Sequence, residues 1–187
     1  LMNGFDGYLE EFTRLMLVLC GAGFEVIAFD GPGQGEVLET SRAPMIPEWE
    51  RPTAAVLDHF GLDDVTVLGF SLGGGLAVRA AAFEPRIARV ICCDVLPNLF
   101  GSLAGVAPAP VRELLRRMVP LGIGRRAVNS VMSRIATRDP LVAWGIQQGM
   151  LVMGAEDPFD FIRATLRFRT ARYSHRLTQD VLLMAGT

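Results

Sequence analysis

Short apolar runs alternate with longer amphipathic stretches along the first half of the chain, a pattern typical of repeated β-α-β units. Four apolar runs bounded by turn residues are predicted to be buried strands, at residues 24–29, 65–68, 88–93 and 181–184. Helical periodicity is found at residues 8–20, 51–60 and 72–83. The alternation predicts an α/β fold with a mostly parallel sheet flanked by helices and joined by right-handed crossovers.

Residues 97–172 interrupt this alternation with several helical patterns and no convincing strand. We therefore expect a helical cap at 97–172, inserted before the last strand of an incomplete core made of residues 1–96 and 173–187. Asp139 and Asp157 each precede a proline, the pairing expected at the N-cap and first position of a helix. Two cap helices are predicted to begin there.

The composition fits a globular chain and argues against several classes of binding partner. The 187 residues are 50% hydrophobic and 20% charged, with a net charge of −2, and the scattered basic residues do not favour nucleic acid or anionic lipid. Cys20, Cys92 and Cys93 lie in apolar runs and are interpreted as reduced core residues, which favours the cytoplasm. No run is long enough to span a membrane, and the Cys and His spacing fits no metal site.

One segment carries a recognisable catalytic pattern. An apolar strand at residues 65–68 leads into Gly69-Phe70-Ser71-Leu72-Gly73, a G-x-S-x-G sequence, and an alanine-rich helix follows directly. This strand-turn-helix context is the one in which such a serine is held exposed as a nucleophile. The helix N-terminus favours an oxyanion, so Ser71 is the predicted nucleophile and the Leu72 N–H an oxyanion donor.

Three segments together resemble the α/β-hydrolase superfamily, and more narrowly its branch with esterase FrsA-like proteins and 2,6-dihydroxypseudooxynicotine hydrolase. They are Asn3-Gly4-Phe5-Asp6-Gly7-Tyr8-Leu9-Glu10-Glu11, Phe29-Asp30-Gly31-Pro32-Gly33-Gln34-Gly35-Glu36 and Gly69-Phe70-Ser71-Leu72-Gly73-Gly74. Their order and spacing match over essentially the whole chain. The resemblance implies an α/β-hydrolase fold that needs neither a cofactor nor a metal.

The resemblance also assigns roles to the first of these segments. It implies that the loop holding Gly4 and Phe5 donates the second oxyanion N–H, with Phe5 preferred, although Asn3 stands where the family usually has His. Asp6 has the simpler expected role of N-cap for the next helix.

The glycine-rich segment at 31–35 is not expected to bind nucleotide, because the Lys-Ser/Thr of a P-loop is absent and Glu36 replaces the last glycine of a dinucleotide motif. The resemblance instead implies that it is the loop after the fourth strand of the family's sheet, bordering the pocket. Asp30 is expected to be structural there.

A serine nucleophile needs a general base, and in this family's chain order the acid and then the histidine follow the serine. The two histidines, His59 and His175, are both expected to lie away from the site. Asp94, at the end of a predicted strand, stays open as the acid, whereas Asp157 is better explained as a helix cap. The resemblance implies an acid and a histidine beyond residue 187, so the chain is interpreted as a fragment truncated at both ends.

Two functions remain open from the sequence. The first is a serine hydrolase of an ester, thioester, amide or activated C–C bond in a small, partly apolar substrate, with this 187-residue chain inactive by itself. The second is a non-catalytic binding or scaffold protein of the same fold. We expect no nucleic-acid or membrane partner, leave a homodimer open, and expect the strand at 181–184 to be an apolar edge that invites association.

Overall fold

The computed structural model describes residues 1–105 and 107–185, and the chain divides into two compact units. The first unit is Leu1–Pro97 with Thr170–Thr187, and the second is Asn98–Arg169. In chain order the first unit holds α1 (Thr13–Gly21), α2 (Gly35–Ser41), α3 (Glu50–Phe60), β1 (Val65–Phe70), α4 (Leu72–Ala81), β2 (Ile87–Cys93) and a final strand, Asp180–Met184. Short 3₁₀ turns lie at Leu9–Phe12, Thr170–Arg172 and Ser174–Arg176.

The secondary structure described in the second unit consists of helices joined by turns. Its helices are α5 (Leu99–Gly105), α6 (Ala109–Met118), α7 (Arg125–Ala136), α8 (Pro140–Met153) and α9 (Pro158–Thr165). As predicted, Asp139 and Asp157 cap α8 and α9, with side chains that accept hydrogen bonds from Leu141 N at 2.9 Å and Asp160 N at 2.9 Å respectively. Large apolar side chains fill this unit, among them Phe159, Phe161, Val128 and Val152.

The sheet of the first unit is parallel and has the order β1-β2-β3, where β3 is Asp180–Met184. Val67 of β1 pairs with Val90 of β2, which pairs with Val181 of β3. Three of the four predicted strands and the α/β class are thus confirmed. The edge expected at β3 is also present, since Val181, Leu182, Leu183 and Met184 are 40–61% exposed.

The predicted strand at residues 24–29 is wrong. Of this segment only Phe29 makes a bridge, a single parallel one to Met2, which in turn bridges Gly69 of β1. A strand requires a run of consecutive partners, and the described bonds that reach this segment from its neighbour come from Leu1 and Met2. The apolar run is therefore joined to residues 1 and 2 by isolated bonds and forms no strand.

Helix α4 forms the centre of the first unit, packed against β1 and β2. Nine of its ten residues are buried and Arg79 is half-buried. Because four of the first six residues after Ser71 are glycine or alanine, the helix approaches the strands closely at its N-terminal end. The first residues of α4 after Ser71 are consequently packed in direct contact with neighbouring backbone.

Two helix predictions need correction. The helix predicted at residues 8–20 begins as a 3₁₀ turn whose N-cap is Tyr8, so Asp6, two residues earlier, is not the cap. The Tyr8 N–H donates to Glu11 Oε1 at 3.0 Å and the Glu11 N–H donates to Tyr8 O at 3.2 Å, so Tyr8 and Glu11 close this turn without a bond from Asp6. Helix α2 was not predicted, because its seven residues are too few to show a clear helical period.

The cysteines are all free thiols, but their expected burial is only partly correct. Cys92 is buried, Cys93 is half-buried and Cys20 is exposed on α1. Burial raises the pKa of the Cys92 thiol to about 11, with a smaller contribution from Cys93. None of the residues of α1 is buried, so its apolar composition was a poor guide to the position of Cys20.

We therefore expect Cys20 to be the fast-reacting thiol of the native protein. A disulfide reagent applied at about pH 8 attacks thiolates, so Cys20 should react first, Cys93 more slowly, and Cys92 only after denaturation. The Cys20→Ser variant is the control and should lack the fast phase. A fast phase that survives in this variant would contradict the burial pattern.

Candidate active site

Ser71 lies at the turn between β1 and α4 in a backbone conformation that an L residue rarely adopts. Its φ is 54° and its ψ is −119°, a combination that costs of order 1–3 kcal/mol and persists only where the surroundings impose it. The side chain is exposed and makes no capping hydrogen bond to the helix that it precedes. Among the described residues, the Ser71 hydroxyl is thus held outward and left available.

The surroundings that impose this turn are backbone atoms packed at glycines. A Cβ added to Gly69 would lie 2.2 Å from the carbonyl oxygen of Gly73, and one added to Gly74 would lie 2.2 Å from that of Asp94. The Ser71 N–H donates to Cys93 O at 2.8 Å, which fixes the turn to the end of β2. Gly69, the first glycine of the G-x-S-x-G sequence, is therefore required by contact, as the motif predicted, and so is Gly74 just after the sequence.

The loop that follows Met2 lies directly against this turn. Phe70 N donates to Met2 O at 3.2 Å, and a Cβ added to Gly73 would lie 2.4 Å from Asn3 O. At Gly4 an added Cβ would be 3.4 Å from Ser71 Cβ and 3.8 Å from Leu72 N. The structure thus brings together Ser71, Leu72 and the loop that holds Phe5.

The amide groups around the serine differ in their occupancy. Leu72 is the first residue of α4, where backbone N–H groups have no partner within the helix, and its N–H donates to no described residue. The Gly4 N–H is already bonded to Asn3 Oδ1 at 2.6 Å. The Gly4 N–H is therefore already engaged within its own loop, and the assignment of Phe5 as the donor stays a prediction.

Gln34 is a residue of this site that the sequence did not single out. It is 2% exposed, and its Nε2 donates to Asn3 O at 2.7 Å and to Gly4 O at 2.9 Å. Its Oε1 accepts the Gly31 N–H at 3.1 Å. The only available signal was an amide side chain within a glycine-rich turn, which predicts a turn rather than a contact with residues 3 and 4.

Asp30 has a structural position, at the start of the same loop. One carboxylate oxygen accepts the Glu36 N–H at 3.2 Å, at the beginning of α2, and the other is buried without a partner among the described residues. Burial raises the pKa of Asp30, and the hydrogen bond from Glu36 opposes this. A Cβ at Gly35 would lie 2.0 Å from this carboxylate, so the loop is built closely around it.

The structure does not bring either histidine to the serine. His59 is exposed on α3 with its ring against Phe60, and His175 is exposed in the 3₁₀ turn Ser174–Arg176. No hydrogen bond joins either to Ser71 within residues 1–105 and 107–185. Both histidines are thus outside the site, as expected from the sequence.

The two carboxylates considered as the acid occupy different places. Asp94 follows β2 with a φ of 64°, and the N–H of Ser71 is bonded to its neighbour Cys93. Because carboxyl ends of adjacent parallel strands share one edge of the sheet, Asp94 lies on the same edge as Ser71. Asp157 caps α9 and is bonded to Arg125 and Asn129 in the second unit, which accounts for it structurally.

The described residues contain neither a metal-binding cluster nor a membrane-spanning helix. No group of three or more His, Cys, Asp and Glu side chains there could hold a metal ion. None of the helices found there is long and apolar enough to cross a bilayer.

Comparison with known proteins gives one family throughout. The model of the alpha/beta hydrolase family matches residues 1–185. Hydrolase LUC6 of Fusarium sp is 33% identical over 183 residues, which cover 89% of this chain and 41% of that protein. The 2,6-dihydropseudooxynicotine hydrolase of Paenarthrobacter nicotinovorans is 36% identical over 97 residues, covering 49% of this chain and 26% of that protein.

A solved structure extends the match in three dimensions. The crystal structure of 2,6-dihydroxy-pseudo-oxynicotine hydrolase superposes with a TM-score of 0.64 at 22% identity, over 97% of this chain and 43% of that one. At this identity the likeness shows the fold, and the α/β-hydrolase fold expected from the sequence is confirmed. The chain spans about two fifths of the length of hydrolase LUC6 and of the solved relative.

Proposed function

Because this chain belongs to the α/β-hydrolase family, we propose that it carries the nucleophile half of a serine hydrolase, with Ser71 as the attacking group. The observation that carries the proposal is the strained, outward-facing Ser71 set beside the first N–H of α4 and the loop at Gly4. A serine that merely capped α4 would bond to its backbone amides, and Ser71 makes no such bond.

The chemistry follows from this placement. Ser71 Oγ adds to the substrate's acyl carbon, and the negative charge that forms on the acyl oxygen is stabilised by the N–H groups of Leu72 and Phe5. The N-terminus of α4 adds a partial positive charge at the same point. Collapse releases the leaving group and leaves an acyl-enzyme, which water then hydrolyses.

The base that accepts the Ser71 proton is proposed to be a histidine of the full-length protein outside these 187 residues. Two observations support this: neither His59 nor His175 is hydrogen-bonded to Ser71 in the part of the chain that the structure describes, and hydrolase LUC6 is more than twice as long as this chain. The orienting acid is proposed to accompany that histidine, with Asp94 kept as the alternative on the grounds of its position beside Ser71. The 187-residue chain alone should then turn over slowly.

The substrate class is proposed as an ester, thioester, amide or activated C–C bond of a small, partly apolar molecule. Relatives named as hydrolases, one of which is named for dihydropseudooxynicotine, support this breadth. We propose that the helical unit Asn98–Arg169 is the cap and contributes to substrate choice. A non-catalytic binding protein is the alternative, favoured by the lack of a histidine bonded to Ser71 among the residues described.

An assay of the full-length protein with p-nitrophenyl esters of increasing acyl length distinguishes the two functions. The serine-hydrolase proposal predicts release of p-nitrophenol that saturates with substrate and exceeds the buffer rate by several orders of magnitude. The 187-residue chain assayed in parallel should be slower by orders of magnitude, because it lacks the base. Full-length protein that releases no more than buffer, with any of these esters or a matching thioester series, would support the binding protein.

A further inference from the structure

Gln34 is a buried side chain that joins the glycine-rich loop to the loop at Asn3–Phe5. Gln34 Nε2 donates to Asn3 O at 2.7 Å and to Gly4 O at 2.9 Å, 31 and 30 residues away in the chain, and Gln34 Oε1 accepts the Gly31 N–H of its own loop at 3.1 Å. The side chain is 2% exposed. Its hydrogen-bonding capacity is thus directed almost entirely at backbone atoms.

The backbone of Gln34 is held by hydrogen bonds, which restricts the position of its side-chain amide. Gln34 N donates to Gly31 O at 3.0 Å, and Gln34 O accepts from Leu38 N at 2.9 Å as the N-cap residue of α2. Gly33, with a φ of 82°, packs against the backbone of Met45, where a Cβ would lie 2.6 Å from the Met45 nitrogen. The turn at 31–35 cannot shift without disturbing these contacts.

The two carbonyl groups that Gln34 holds belong to two successive peptide groups. In the first, the Asn3 carbonyl accepts from Gln34 and the Gly4 N–H donates to Asn3 Oδ1. In the second, the Gly4 carbonyl accepts from Gln34 and the opposite end is the Phe5 N–H. Because a trans peptide is planar, its C=O and N–H point in opposite directions, and no peptide bond of the described chain is cis.

We propose that Gln34 is the positioning residue of the oxyanion site: by holding the Gly4 carbonyl it orients the Phe5 N–H toward the developing oxyanion on the substrate bound at Ser71. The inference rests on the proposed serine-hydrolase function. Gln34 does not touch the reacting atoms, and acts through the Gly4–Phe5 peptide group beside the nucleophile.

The test replaces Gln34 in the full-length protein. Gln34→Met keeps the length of the side chain and removes both donor and acceptor, while Gln34→Glu keeps an acceptor for Gly31 N and removes the donors when ionised. Gln179→Met is the matched control, because Gln179 Nε2 also donates to a backbone carbonyl, that of Ala81 at 2.9 Å, at the far end of α4.

The first readout compares an ester with its thionoester, in which sulfur replaces the carbonyl oxygen. An N–H pair aimed at an oxyanion favours the oxygen substrate, so both Gln34 variants should lower kcat for the ester about 10-fold or more and lower the ester-to-thionoester ratio of kcat with it. KM should change less than kcat. A general loss of folded enzyme lowers both rates equally, so an unchanged ratio in both variants would overturn the proposal.

The second readout is independent of activity. Amide hydrogen exchange in the peptide covering residues 3–5 should accelerate in both Gln34 variants and stay at the wild-type rate in Gln179→Met. Only the Gln34 variants lose the hydrogen bonds from residue 34 to the Asn3 and Gly4 carbonyl groups. If the wild-type protein hydrolyses nothing, the proposed function fails, and exchange alone decides whether Gln34 orders the loop. Unchanged exchange in both variants would overturn the inference whatever the activity.

Discussion

Replacing Ser71 with alanine in the full-length protein is expected to lower kcat/KM for an activated ester by about 10⁴-fold or more. The loss is large because the covalent step disappears, and a nucleophile and its base act as a unit rather than additively. The fold should be retained, since the Ser71 side chain makes no capping bond and its backbone N–H still bonds to Cys93 O. Initial rates and a urea unfolding curve measured on the same preparation check both statements.

Ser174→Ala is the matched control for this variant. Ser174 is also exposed and lies in the first unit, where its hydroxyl donates to Ala171 O at 3.1 Å. Its activity should stay within about twofold of the wild type, because surface substitutions of this kind change little. Equal activity in Ser71→Ala and Ser174→Ala would mean that another group attacks the substrate.

The second large effect is expected from Gly73→Ala, which should destabilise the first unit by about 3 kcal/mol. Helix propensity alone favours alanine over glycine inside α4, but here the new Cβ would lie 2.4 Å from Asn3 O and 2.8 Å from Met2 O. Backbone oxygens cannot move aside as a flexible side chain does, so the clash outweighs the propensity gain. The loss of stability is measured from the shift in the midpoint of urea unfolding, with hydrogen exchange of residues 65–93 as the probe of unfolding.

Gly145→Ala is the control, because the same substitution is expected to change the free energy of unfolding in the opposite direction. Gly145 also lies within a helix, α8, but a Cβ there would meet nothing within 4 Å. Alanine should therefore stabilise the protein by about 0.5–1 kcal/mol. If both variants shifted stability in the same direction and by similar amounts, close packing between α4 and the loop at residues 2–3 would not be the cause.

The elements that could be predicted from the sequence are those whose determinants are local. The runs that became β1, β2 and β3 are short, apolar and bounded by turn residues, and the turn at Ser71 is specified by glycines next to it in the chain. The caps at Asp139 and Asp157 act on amides within three residues. In each case the interacting groups are close in sequence, so one short stretch of sequence shows both of them.

The features that were missed depend on distant partners. Residues 24–29 have strand-like composition, but pairing requires a neighbouring run, and bridging reaches only Phe29. Gln34 is polar within a turn, and its role depends on carbonyl groups 30 or 31 residues away. Cys20 lies in an apolar helix that has no buried residue, so local hydrophobicity gave the wrong burial.

The most direct test of the central proposal is to locate a covalent adduct on the full-length protein. After reaction with a fluorophosphonate, proteolysis and peptide mass spectrometry should place a single phosphonyl group on Ser71, because an activated serine beside oxyanion donors reacts as it does with substrate. The Gly69–Gly73 turn should carry the label and Ser174 should not. An adduct on another residue, or none in protein that hydrolyses esters, would contradict the assignment of Ser71 as the nucleophile.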